Sequence, residues 1–165
     1  MLEDQLSLDF NTFTPESQTN LTLNDVKFFL CSIPDLHRGG CAISALAMKR
    51  WLKKFKGIES TIVYGFSRKN SDYSDNQRSL KENNKELTSA CSHAGLKIEG
   101  SDLIFDAKSR WYKDEYKYYI DMPEEFVISS LEKMVWNNMF ERSNVKIIAE
   151  KLDIDLSDVP MNIYK

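Results

Sequence analysis

The chain has 165 residues, 42% hydrophobic and 28% charged, with a formal net charge of −3; this describes one ordinary globular domain able to bury roughly 70% of its unfolded surface. A weak negative charge argues against general coating of nucleic acid, which needs a basic footprint, and no apolar run approaches the roughly 20 residues of a membrane span. Three cysteines without a CxxC pair and only two histidines point to a reducing compartment without a zinc or multi-histidine site; with no basic-then-apolar leader pattern, a cytoplasmic protein without metal or cofactor is expected.

Residues 1 to about 20 read as a flexible arm, because Ser17, Gln18, Thr19 and Asn20 follow Pro15 and only Leu2, Leu6, Leu8 and Phe10 offer apolar bulk. Residues 21–165 form a single domain, with its core in 37–110 and C-terminal helices within 121–158. A short helix is predicted over 23–31, with Val26, Phe29 and Leu30 on one face and Pro34 beyond its end. The central helix runs from about Cys41 to Lys56. Ile43, Leu46, Met48, Trp51, Leu52 and Phe55 make its wide apolar stripe, and Gly57 stands where a C-terminal cap belongs. Lys49, Arg50, Lys53, Lys54 and Lys56 crowd its second half. They read either as a patch for a polyanion or, preferably, as a solvated face that complements the negative end of the helix dipole.

Residues 58–66 form a buried strand through Ile62, Val63 and Tyr64. The polar stretch 67–90 holds a short helix marked by Leu80 and Leu87, and a connection of that length carries function or moves. Strands at 92–99 and 103–109 are joined by Gly100-Ser101-Asp102, a hairpin signal. Trp111, Tyr112, Tyr116, Tyr118 and Tyr119 follow as a further strand or an aromatic loop. Asp121-Met122-Pro123-Glu124 begins a helix carrying Val127, Leu131, Met134 and Val135. A last helix holds Val145, Ile148, Ala149 and Leu152; its faint likeness to half of a helix-turn-helix is countered by Asp153, Asp155 and Asp158, which suit phosphates poorly, so it reads as a packing helix. The fold class is α+β: an N-terminal catalytic helix packed on a small antiparallel sheet, with additional C-terminal helices.

The chemistry concentrates in three places. His37-Arg38-Gly39-Gly40-Cys41 delivers a thiol to the first turn of a helix, where unpaired N–H groups and the dipole favour a thiolate. His93 starts one strand-like run, and Asp106 ends the next. In that order Cys41 is a nucleophile, His93 the base that takes its proton and returns it to a leaving group, and Asp106 the group that sets the imidazole tautomer. The backbone N–H of Cys41 is one oxyanion donor. His37 is the competing base. Cys31 and Cys91 lack a helix-start context and read as structural. Taken singly, such a cysteine is a small buried hydrophobe and such histidines are ordinary surface or hydrogen-bonded groups; their order and the Gly-Gly approach favour a triad.

Gly39-Gly40-Cys41-Ala42-Ile43-Ser44-Ala45-Leu46, His93-Ala94-x-Leu96-x-Ile98 and Phe105-Asp106-Ala107 together resemble the transglutaminase-like branch of the papain-fold cysteine enzymes, over about residues 37–110. The resemblance implies a papain-like fold, and a protein or peptide substrate that is cleaved, deamidated, cross-linked or acyl-transferred through a thioester. Arg38-Gly39-Gly40-Cys41 also resembles the arylamine N-acetyltransferases. It lacks the residue that separates glycines and cysteine there, and the glutamate that follows, so acetyl-CoA chemistry is not carried over. Gln5-Leu6-Ser7-Leu8-Asp9-Phe10 resembles the peptide by which bacterial replication proteins bind the sliding clamp. Gln5, Leu6, Leu8 and Phe10 are then partner-binding residues of a bacterial or phage protein that does not itself read DNA. The rival to an enzyme is a catalytically silent interaction module on the same fold, tethered through those residues. The run at 111–119 and the loop 67–90 are where a partner or substrate is expected.

Overall fold

The computed structural model describes residues 14–34, 36, 40–83, 91–107, 110–111, 116–134 and 143–160. Five α-helices and five strands follow one another as α1 (Leu23–Ser32), α2 (Cys41–Lys56), β1 (Ser60–Phe66), α3 (Ser71–Lys81), β2 (His93–Ile98), β3 (Ile104–Phe105), β4 (Arg110–Trp111), β5 (Tyr118–Met122), α4 (Glu124–Met134) and α5 (Ser143–Leu152). The class is α+β.

Local chemistry sets the helix boundaries. At the start of α1, Thr22 and Asp25 exchange hydrogen bonds as a capping box: the Asp25 N–H donates to Thr22 Oγ1 at 3.2 Å and the Thr22 N–H to Asp25 Oδ2 at 2.7 Å. Helix α2 ends at Gly57, whose φ of 63° is a left-handed conformation that costs little without a Cβ. Its first half is buried almost all round, Ala42 through Met48, and Trp51 and Leu52 continue the seam. Trp51 donates its indole N–H to Gln18 Oε1 at 2.8 Å.

The strands form one antiparallel sheet in the order β4-β3-β2-β1-β5. Alternation sorts its two faces. Ile62, Tyr64 and Phe66 of β1, Ala94 and Leu96 of β2, and Ile120 and Met122 of β5 join the core beneath α2. Val63 and Ile104 make a small second cluster on the other face, with Tyr116 against it. Helix α2 lies along β1 and β2, and α1, α4 and α5 pack around it. Val26, Phe29 and Leu30 from α1, Phe126, Val127 and Leu131 from α4, and Val145, Ile148 and Leu152 from α5 close the core. The packing role expected for the last helix is therefore observed. No helix among the described residues is long and apolar enough to cross a membrane.

The structure corrects three expectations. The arm does not extend to residue 20: Pro15–Asn20 is a 3-10 helix, and Gln18 is wholly buried. Gln18 accepts from Trp51 Nε1 and donates to the Lys151 carbonyl, both at 2.8 Å, so it ties α2 to α5. A polar residue after a proline read as loop, but its amide satisfies an indole that only the folded core supplies. The helical region does not begin at 121, because residues 121 and 122 end strand β5, which pairs with β1. Cys31 is exposed on α1 and has no structural burial.

The basic second half of α2 is neither a free patch nor merely solvated. Arg50 makes a two-pronged bond to Asp158 at 2.7 and 2.8 Å and reaches Glu124 at 3.3 Å. Lys54 pairs with Asp153 at 3.2 Å, and Lys53 with Glu59 at 3.3 Å. Lys56 donates to the Thr19 carbonyl and Lys49 to the Ser60 carbonyl. The acids that spoiled the DNA-binding motif are thus partners for these cations.

Candidate active site

The site lies where the first turn of α2 meets the start of β2. Gly40 directly precedes the helix, and only glycine fits there. A Cβ would stand 2.6 Å from the Leu36 carbonyl oxygen and 2.9 Å from Leu36 Cδ1, while the Gly40 N–H donates to that carbonyl at 2.8 Å. This tight approach fixes where Cys41, the first residue of α2, presents its half-buried side chain.

His93 is the first residue of β2, set opposite Gly65 of β1. Its Nε2–H donates to Asp106 Oδ2 at 2.6 Å, with the two side chains 18% and 13% exposed. Glycine again makes room. At Gly95, a Cβ would lie 2.9 Å from Ile104 Cγ2 and 3.0 Å from the Phe105 carbonyl oxygen, so its absence lets β3 approach and carry Asp106 to the imidazole. The Cys41 side chain lies near the same ring and raises the His93 pKa further. With Nε2 committed to Asp106, Nδ1 is the nitrogen left for sulfur.

Electrostatics follow from this sandwich. Burial disfavours the His93 cation, but the Asp106 hydrogen bond and then the bond to and charge of Cys41 outweigh it, and the imidazole pKa rises to about 9. At neutral pH His93 is an imidazolium held between a carboxylate and a sulfur. That arrangement can stabilise a thiolate and hold a proton ready for a leaving group.

The structure brings His93 and Asp106 into contact at 2.6 Å, with the Cys41 side chain near the same ring. Gln5, Leu6, Leu8 and Phe10, and the competing base His37, lie outside the described residues. Three further residues were not singled out by sequence. Tyr116 stacks on His93, with ring centroids 5.5 Å apart and planes inclined by 19°. An aromatic face over an imidazolium stabilises the cation and shields its bond to Asp106 from water. Cys91 stands beside the site, two residues before His93 opens β2. Burial, followed by the neighbouring Cys41, pushes the Cys91 thiol well up. Tyr64, wholly buried and bonded to Ser130 Oγ on α4, forms the floor, and burial with the nearby Cys91 keeps its hydroxyl protonated. Tyr116 belongs to an aromatic run already marked for partners.

Other polar groups are buried near the same elements. Ser44 Oγ, one turn along α2 from Cys41, and both amide atoms of Asn76 on α3 have no hydrogen-bond partner among the described residues. Among those residues no group of three His, Cys, Asp or Glu side chains is arranged to hold a metal ion. Set against family models, curated proteins and solved structures, the chain finds no match in any of the three.

Proposed function

We propose that the protein is a thiol-dependent hydrolase or acyl transferase with Cys41 as nucleophile, His93 as acid and base, and Asp106 as the group that orients and charges His93. The observation that carries this reading is the single imidazole that bonds Asp106 at 2.6 Å through Nε2 and has the Cys41 side chain, at the start of α2, near enough to raise its pKa. The cysteine on the central helix, with histidine and aspartate on paired antiparallel strands, also supports a papain-like fold of the transglutaminase-like branch.

In the first half-reaction the Cys41 sulfur attacks the carbonyl carbon of an amide or thioester. The oxyanion is met by the Cys41 N–H at the start of α2. His93 gives its Nδ1 proton to the departing amine or thiol as the carbon–heteroatom bond breaks, which leaves a thioester on Cys41. In the second half-reaction water or an amine attacks that thioester, His93 takes the proton, and the Cys41 thiolate departs. Asp106 holds the ring in one orientation throughout and offsets its charge.

The test is the pH dependence of Cys41 alkylation by iodoacetamide, read by mass spectrometry in the parent and in His93→Ala. Alkylation of Cys41 at neutral pH that is much faster in the parent than in the variant is expected, because the imidazolium favours the thiolate. An ordinary alkaline profile that ignores His93 would overturn the reading.

A further inference from the structure

We propose that α3 is a lid that leaves the sheet while the rest of the fold stays in place. Its opening uncovers an aromatic shelf, Phe66 and Tyr118, which receives an apolar side chain of the acyl substrate. The lid rests on the packing of α3; its use in admitting substrate rests on Cys41 being the reactive thiol proposed above. Helix α3 is closed on itself. Asn70 caps it by accepting from the Tyr73 N–H at 3.0 Å, Gln77 Nε2 donates to the Tyr73 hydroxyl at 2.9 Å, and Arg78 pairs with Asp75 at 2.8 Å. Among the described residues, no hydrogen bond or ion pair joins residues 70–83 to the remainder of the chain.

What holds α3 down is packing, and its packed face suits that task poorly. Helical spacing puts Asp72, Tyr73, Asn76, Ser79 and Leu80 on its less exposed side, and Asp72, Asn76 and Ser79 are polar. Asn76 is wholly buried, yet neither its amide oxygen nor its amide nitrogen has a partner among the described residues. An unmet buried amide costs free energy that is recovered once the helix undocks and water reaches it. The apolar hold comes mainly from one ring. Tyr73 meets Phe66 and Tyr118 edge-on, with centroids 5.5 and 5.6 Å away, and Leu80 adds a partly buried contact to the core. A segment with so little apolar contact and no polar tie opens locally, ahead of global unfolding.

The position of the shelf gives the opening a use. Phe66 follows Gly65, the residue paired with His93, and is itself paired with Tyr118. Tyr118 comes two residues after Tyr116, whose ring stacks on His93. The Tyr73 ring therefore occupies a cradle that borders the imidazole, and an aromatic or large aliphatic side chain takes its place when α3 lifts. With the lid down, Phe66 is 1% exposed and Tyr118 37%, so most of the shelf is covered until then.

The experiment follows hydrogen–deuterium exchange of the full chain by mass spectrometry in the parent, Asn76→Leu and Tyr73→Ala. Alongside it, Cys41 is alkylated with iodoacetamide and with iodoacetanilide, its phenyl analogue. A helix this short is unstable in water once undocked, so undocking is read as lost amide protection. In the parent, the amides of 74–81 should exchange well ahead of those of β1 and β2. Asn76→Leu removes the unmet amide and should slow them about tenfold. Tyr73→Ala removes the ring and should speed them by about as much. Relative to a free thiol, iodoacetanilide should gain over iodoacetamide in the parent, and the gain should vanish in Asn76→Leu with the iodoacetamide rate unchanged. Exchange of α3 in step with β1 and β2, or unmoved by both substitutions, would overturn the lid and leave the acyl-transfer reading standing. A lid that responds to both substitutions without altering the preference between reagents would overturn the shelf. A responsive lid beside a Cys41 that alkylates like a free thiol with both reagents would overturn the thiol reading, and with it the use of the shelf.

Discussion

The two ends of α2 carry charge in opposite ways. At its second half, every cation that the sequence crowds together is tied to an acid or a carbonyl: Lys49 to Ser60, Arg50 to Asp158 and Glu124, Lys54 to Asp153, Lys53 to Glu59 and Lys56 to Thr19. At its first turn, one imidazole lies between Asp106 and Cys41, with a serine hydroxyl one turn away that has no partner among the described residues. The lower end satisfies its charges on partners from several parts of the chain, Thr19, Glu59, Glu124, Asp153 and Asp158. The upper end holds a proton between two acidic groups, so a reactant can use it. Partly buried charge alone therefore does not mark a site; what distinguishes the upper end is a titratable group whose partners can change state.

The largest effect should come at the upper end. In Asp106→Ala the His93 titration midpoint, read by NMR of its ring protons, should fall from about 9 toward the ordinary 6.5. Cys41 alkylation at neutral pH should slow about tenfold or more as the imidazolium is lost. An unchanged midpoint would mean that the 2.6 Å contact does not hold the proton.

Gln18→Ala should produce an intermediate effect on stability and none on the thiol. It strips the buried Trp51 N–H and the Lys151 carbonyl of their partner, which costs about 1–3 kcal/mol in denaturant unfolding. A change in Cys41 alkylation in that variant would show that the two ends are coupled through α2.

The smallest effect is expected from Arg50→Met, about 0.5–1 kcal/mol, because Asp158 is half-exposed and solvent screens the pair. The two ends should also fail on opposite sides of neutrality. Arg50 holds the Asp158 carboxyl below its ordinary value, so its stabilisation is present above about pH 4 and fades as pH falls further. The His93 value is raised, so its contribution is full below about 6.5 and fades as pH rises through about 9. Melting temperatures against pH should lose their acid wing in Arg50→Met and their alkaline wing in His93→Gln.

The elements were legible where one local signal sufficed. Gly57 marked the end of α2, and the spacing of Val26, Phe29 and Leu30 marked the buried face of α1. Gly100, at φ 81°, turned the hairpin between β2 and β3. Strand β5 was only half read, because Asp121-Met122-Pro123-Glu124 carries a helix-start pattern on residues that pair with β1. Gln18 gave no local sign, since its partners Trp51 and Lys151 lie far along the chain.

Chain order and residue chemistry alone set out the α+β class, the helix bearing Cys41 and the succession of cysteine, histidine and aspartate. Those properties depend on short-range periodicity, capping and the steric freedom of glycine. Folding alone settled that Nε2 of His93 faces Asp106, that Tyr116 covers the ring, and that Asp158 answers Arg50. Each of these depends on side chains meeting across packed helices and strands, a distance that sequence separation does not encode.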